Sequence, residues 1–185
     1  MKRQRRLTYG QALAYFVTAT LSGFTELLNE EGYAQIILRK LDFYREKFEF
    51  RLLAYVVMPQ HIHLVLQPGS KGNISEIMRD FKKRTAKEII ERLREENRTE
   101  VLGVIMDAAK RYHPNENREY QVWEDRFDDV AVYSDEVLRT KIEYIHNNPV
   151  KAGFVDSQDA FLYSSARNYH FGDHSVIKVD CECEA

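Results

Sequence analysis

Apolar residues follow two rhythms along this chain. Tyr15 to Leu21 is rich in aromatic and β-branched residues, the composition of a strand. Tyr33, Ile36, Ile37, Leu41, Tyr44 and Phe48 recur at three- and four-residue steps, which predicts an amphipathic helix. Leu52 to Met58 is nearly all apolar, as in a strand buried on both faces. Pro59-Gln60 breaks that run, and His61 to Leu66 resumes it as a second strand, closed by Pro68-Gly69. Asn73 and Glu76 have capping-box spacing ahead of a helix with Ile74, Ile77, Met78 and Phe81 as its apolar stripe. The charged stretch Glu88 to Glu100 is expected to carry that helix into solvent. Residues 101–122 give no clear period. Arg126 to Tyr133 is a candidate fourth strand. Ser134-Asp135-Glu136 opens a last helix, with Val137, Ile142 and Ile145 among its expected buried positions. That helix should stop near Asn148, because the residue before Pro149 is disfavoured in helical geometry.

The order strand, helix, strand, strand, helix, strand, helix predicts an α+β fold: a ferredoxin-like, palm-like antiparallel sheet flanked by helices. With 185 residues, one domain over 1–170 is expected, followed by a poorly ordered tail over 171–185. At 44% hydrophobic and 30% charged, the chain has material for both a core and a soluble surface. Its formal net charge is −2, so any anion-binding surface must be local. Lys2, Arg3, Arg5 and Arg6 are not followed by a long apolar segment, so neither a secretion signal nor a membrane span is expected. Cys181 and Cys183 are the two cysteines, which excludes a disulfide scaffold and makes a reducing cytoplasm the natural compartment.

Three features carry chemistry. His61-Ile62-His63 lies within an apolar strand, where alternate side chains share a face. Both imidazoles therefore point the same way and could grip one divalent cation, or could be satisfied by ordinary hydrogen bonds. In Tyr144-Ile145-His146-Asn147-Asn148-Pro149, Tyr144 and Asn148 are neighbours on one helix face. A cation polarising a phosphate would help the phenol attack it, and Asn148 offers an amide oxygen to a hard metal. A buried Tyr and an Asn helix cap is the plainer alternative. Finally, Arg79, Lys82, Lys83, Arg84 and Lys87 form a basic ridge opposite an apolar stripe, suited to a phosphate backbone or simply to water.

Together these segments resemble the single-tyrosine transposases of the IS200 type, members of the His-hydrophobic-His (HUH) endonucleases. Tyr55 to Val65 resembles their paired-histidine motif. Tyr144 to Val155 resembles the tyrosine segment of the subgroup associated with repetitive extragenic palindromes (REP). Tyr15-Phe16-Val17-Thr18 is similar to that subgroup's first strand, and Trp123-Glu124-Asp125-Arg126-Phe127 to its Trp-x-x-Arg-Phe segment. The resemblance implies the HUH transposase fold and transfer of single-stranded DNA through a 5′-phosphotyrosine. It implies Tyr144 as nucleophile, with His61, His63 and Asn148 holding Mg²⁺ or Mn²⁺. The implied partner is hairpin or palindromic single-stranded DNA, handled by a monomer or a homodimer, with Arg79, Lys82, Lys83, Lys87 and Lys151 as candidate DNA contacts. Glu124 and Asp125 are acidic where many relatives are neutral or basic, which lowers the expected DNA affinity. A catalytically silent, domesticated binding module is the alternative. A small metallohydrolase built on His-x-His would need further ligands, and His113, His170 and His174 show no recognisable ligand spacing.

Overall fold

The computed structural model describes residues 12–181; Lys2, Arg3, Arg5, Arg6 and Cys183 lie outside the described residues. Four strands, β1 (Ala14–Thr20), β2 (Arg51–Val57), β3 (His61–Gln67) and β4 (Asp128–Val132), pair antiparallel in the order β2-β3-β1-β4. Helix α1 (Glu31–Phe48) crosses from β1 to β2, leaving space between them for β3. Helix α2 (Ile74–Glu95) and the following α3 (Thr99–Tyr112) separate β3 from β4, which joins the free side of β1. This is the predicted ferredoxin-like order, with α3 added.

The sheet is buried on both faces, which is why its strands read as apolar runs. Tyr15, Val17, Ala19, Ile62, Leu64 and Leu66 face α1 and α2. Phe16, Val56, Val65 and Val132 face the other way, against Leu138, Ile142 and Ile145 of α4 (Asp135–Lys151). A register shift between Leu52 and Ala54 lets Leu53 and Ala54 share that second face. The capping box of α2 forms as expected: Glu76 N–H donates to Asn73 Oδ1, and Asn73 N–H to Glu76 Oε2, both at 3.1 Å.

Several expectations need correction, and the ambiguous stretch resolves. Residues from Glu88 onward do not run into solvent, because Ile89 and Leu93 keep α2 docked to its last turn. The ambiguous stretch holds α3, which buries Ile105, Ala108 and Ala109. Helix α4 continues past Pro149 to Lys151. Proline removes one donor and disfavours its predecessor, but Pro149 is buried, and the bonds resume with Ala152 N–H on Asn148 O and Phe154 N–H on Pro149 O, each at 3.0 Å. Val137 is exposed, and Leu138 takes the buried place. The expected loose tail also packs as far as it is described. After α5 (Ala166–Phe171), Ile177 and Val179 join the core, and Asp180 N–H donates to Leu52 O at 2.8 Å.

One buried polar joint ties α4 to the sheet. His146 Nε2 lies 2.9 Å from Ser165 Oγ, which donates to Tyr55 O and accepts from Tyr55 N–H. Burial holds the His146 imidazole down to about 4, against the pull of Glu143 and with the help of His170. An unfolded histidine titrates near 6.5, so the unfolded chain takes up this proton first. The contribution is therefore complete above about pH 6.5 and is lost as pH falls toward 4, at a cost of about 3 kcal/mol. Thermal melts between about pH 7.5 and 4.5 should show a smaller acid loss for His146→Gln than for the unmodified chain.

Candidate active site

Strand alternation sends Ile62 and Leu64 toward α1 and α2, and His61 and His63 toward α4. His61 sits across from Thr20, and His63 across from Thr18. The two imidazole centroids are 4.6 Å apart, with planes inclined by 68°. Helix α4 brings Tyr144 of the same chain to 5.4 Å from His63, edge to face. Phe16 forms the common floor: it stacks on His63 at 5.3 Å and meets the Tyr144 ring edgewise at 5.7 Å. Tyr144 is 41% exposed, so a substrate reaches its ring from solvent, whereas His63 is 6% exposed.

The electrostatics favour lone-pair donation. Burial lowers the pKa of His61. His63 is pushed down to about 3 by burial first, then by His61 and the Lys141 ammonium. Both rings are thus neutral at physiological pH, the form in which imidazole binds metals. His63 Nδ1 lies 2.9 Å from Thr18 Oγ1. With the proton on Nδ1 and donated to Thr18, the Nε2 lone pair is left for a ligand, and the ring is fixed in place. Among the described residues, no three His, Cys, Asp or Glu side chains gather as a metal site, so an ion held by this pair would need a neutral third ligand or one from substrate. Half-buried Asn148 lies one helical turn beyond Tyr144, with an amide oxygen suited to Mg²⁺ or Mn²⁺. His113 is instead held by Glu116 and Asp125, at 2.9 and 2.8 Å, and lies outside this cluster.

The basic residues divide. Lys151 Nζ lies 5.7 Å from the Tyr144 ring centroid, beside the site. Arg79, Lys83 and Lys87 ride on α2, whose apolar face packs the opposite side of the sheet from the histidines. Arg79 is paired with Asp80, and Lys87 with Glu91. Lys82 departs from the expected ridge: its Nζ donates to the backbone oxygens of Glu124 and Asp125, at 2.6 and 3.1 Å. Asp125 also engages His113, Arg118 and Gln121, so this acidic pair organises the loop ahead of β4. Trp123 is likewise structural, its Nε1–H donating to Thr85 Oγ1 at 3.0 Å. Lys82→Met should therefore destabilise the fold by about 1–3 kcal/mol, since it strips a charged donor from two carbonyls. The salt dependence of DNA binding should be unchanged, and chemical denaturation with a salt titration checks both.

Phe16 and Thr18, which the sequence shows only as part of a first-strand resemblance, and Lys141 are site neighbours that the sequence reading gave no role. Lys141 stands three residues before Tyr144, a helical spacing that could have flagged it. Phe16 and Thr18 join the site only through the β1–β3 pairing.

Residues 24–106 match the family model "Transposase IS200 like", a span that includes His61 and His63 and ends before Tyr144. A Haemophilus influenzae protein provisionally named a REP-associated tyrosine transposase is 27% identical over 159 residues, covering 82% of this chain and 78% of its own. A solved REP-associated tyrosine transposase bound to a REP hairpin superposes with a TM-score of 0.63 at 21% identity, covering 96% of this chain and 98% of that one. A crystallised, provisionally assigned transposase from Deinococcus radiodurans R1 gives a TM-score of 0.47 at 20% identity, covering 80% and 97%. The chain is thus similar to the IS200-like transposases over residues 24–106 and shares the fold of the solved REP-associated tyrosine transposase.

Proposed function

We propose that this protein nicks and rejoins single-stranded DNA beside hairpins, using Tyr144 as a covalent nucleophile. The observation that carries this reading is the meeting, within one chain, of Tyr144 with the His61–His63 pair. Tyr144 Oη attacks the scissile phosphorus, and the bond from phosphorus to the 3′-oxygen breaks. The phenol gives up its proton and the departing 3′-oxygen gains one, leaving a 5′-phosphotyrosine and a free 3′-hydroxyl. Attack by the 3′-hydroxyl of a second strand reverses the step. The phosphodiester's energy is conserved in the link, so no nucleotide triphosphate is required.

His61, His63 and Asn148 are the residues that would hold a divalent ion, Mg²⁺ or Mn²⁺. Bound there, the ion would supply charge neutralisation at a phosphate oxygen. Neutral imidazoles and an amide bring no negative charge, so the substrate phosphate is itself the natural remaining ligand. The hairpin held by the solved REP-associated relative supports a hairpin substrate here. Lys151 is the best placed of the candidate DNA contacts to meet the reacting strand. Arg79, Lys83 and Lys87, on the opposite layer, are assigned only backbone contacts remote from the scissile phosphate. Incubation with hairpin oligonucleotides and Mg²⁺ or Mn²⁺ should give a protein–DNA adduct that survives denaturing electrophoresis. Tight hairpin binding without any adduct would instead support a silent binding module.

A further inference from the structure

We infer that Lys141 is a phosphate-binding cation of this active site, gripping a non-bridging oxygen of the phosphodiester that Tyr144 attacks. The inference rests on the reaction proposed above and assigns a further residue to it. Lys141 precedes Tyr144 by three positions on α4, so the two side chains share a helix face. Its Nζ lies 4.7 Å from the centroid of Phe16. That ring is in turn stacked on His63 and set edgewise against Tyr144. The ammonium therefore borders the surface where phenol and imidazoles meet, and its field reaches His63.

Lys141, like Lys83 and Lys151, has no carboxylate partner among the described residues, and of these it is the one set over Phe16. Lys40, Lys47, Lys71, Lys87 and Lys110 all pair with Asp or Glu. Among the described residues, half-buried Lys141 has no ion pair and no hydrogen bond, only the face of Phe16. The Phe16 ring and the His63 imidazole stand beside it, with Asp128 of β4 across from Thr18 on the same sheet. An unneutralised cation in a partly desolvated setting, beside a nucleophile and a neutral ligand pair, matches a monoanionic phosphodiester. As the pentacoordinate transition state forms, charge gathers on the non-bridging oxygens, and a fixed ammonium there strengthens its hold. Lys151, on the other side of Tyr144, makes a second flank of the same sign.

The plainer alternative is that Lys141 only covers Phe16, and the experiment separates the two. Lys141→Met keeps the aliphatic stem over the ring, and Lys141→Arg keeps the charge. Adduct formation at saturating hairpin DNA should slow by about 100-fold in the Met variant. The Arg variant should be at least about tenfold faster than Met. The log–log salt slope of single-strand binding should fall by about one for Met and be unchanged for Arg. A Met variant that reacts at the unmodified rate with an unchanged slope overturns the role of Lys141 while leaving the reaction intact. Equal losses in Met and Arg, with lowered melting temperatures in both, would likewise overturn it in favour of packing. If the unmodified chain forms no adduct, the reaction itself fails, and the salt slope alone then decides whether Lys141 meets phosphate.

Discussion

Tyr144→Phe should abolish the covalent adduct, a loss of about 10⁴-fold or more, while hairpin binding stays within about twofold. The substitution removes one oxygen and little else. The Tyr144 ring meets Phe16 and His63 edgewise and lies under Lys151, and all three contacts belong to the ring. Its hydroxyl makes no hydrogen bond among the described residues, so no partner is orphaned. At 41% exposure the position is not a core site, and stability should change by less than about 0.5 kcal/mol. Electrophoresis of the denatured reaction reads the adduct, and a fluorescent hairpin reads binding. Cleavage that persists in the Phe variant would identify another nucleophile.

Loss of either histidine should be nearly as severe for catalysis, but the two should differ in stability. His61→Ala and His63→Ala should each lower adduct formation by more than about 100-fold, because one lone pair is a poor grip on a hydrated divalent ion. Calorimetric titration with Mn²⁺ in the presence of uncleavable DNA should show weakened binding in both. His63 is also a packing residue, 6% exposed, stacked on Phe16 and joined to Thr18. His63→Ala leaves a void and an unpaired hydroxyl, so it should also lose about 2–4 kcal/mol of stability. His61 is only half-buried, and its variant should melt close to the unmodified chain. Unchanged Mn²⁺ affinity in both variants would return the pair to the plain reading of hydrogen-bonded histidines.

These residues differ in how far the sequence alone could reveal them. The sheet was legible because strands buried on both faces must be apolar throughout, as in Leu52 to Met58 and Ile62 to Leu66. The common face of His61 and His63 follows from strand alternation, a local rule that tertiary structure does not alter. The proximity of Tyr144 to that face does not follow from spacing, because it depends on which side of the sheet α4 packs. Motif resemblance anticipated that meeting, whereas periodicity was silent. Local rules failed where packing opposed them. The helix passes through Pro149 because the sheet side buries it, and Ile89 and Leu93 hold a charged helix end down. Lys82 looked like its neighbours on α2, since nothing nearby in sequence announces carbonyl acceptors more than forty residues away. The ordered run to Asp180 was hidden for the same reason: Ile177 and Val179 form a short apolar pair whose partner, β2, is remote.

The most direct measurement is to map the covalent linkage itself. A hairpin oligonucleotide with a short single-stranded flank is incubated with the full chain and Mn²⁺, the adduct is digested with nuclease and protease, and the peptides are read by mass spectrometry. The account predicts a nucleotide remnant joined through its 5′-phosphate to the peptide spanning Tyr144, with fragmentation placing the added mass on that residue. A remnant on any other side chain, a 3′-linked remnant, or cleaved DNA with no modified peptide would contradict it.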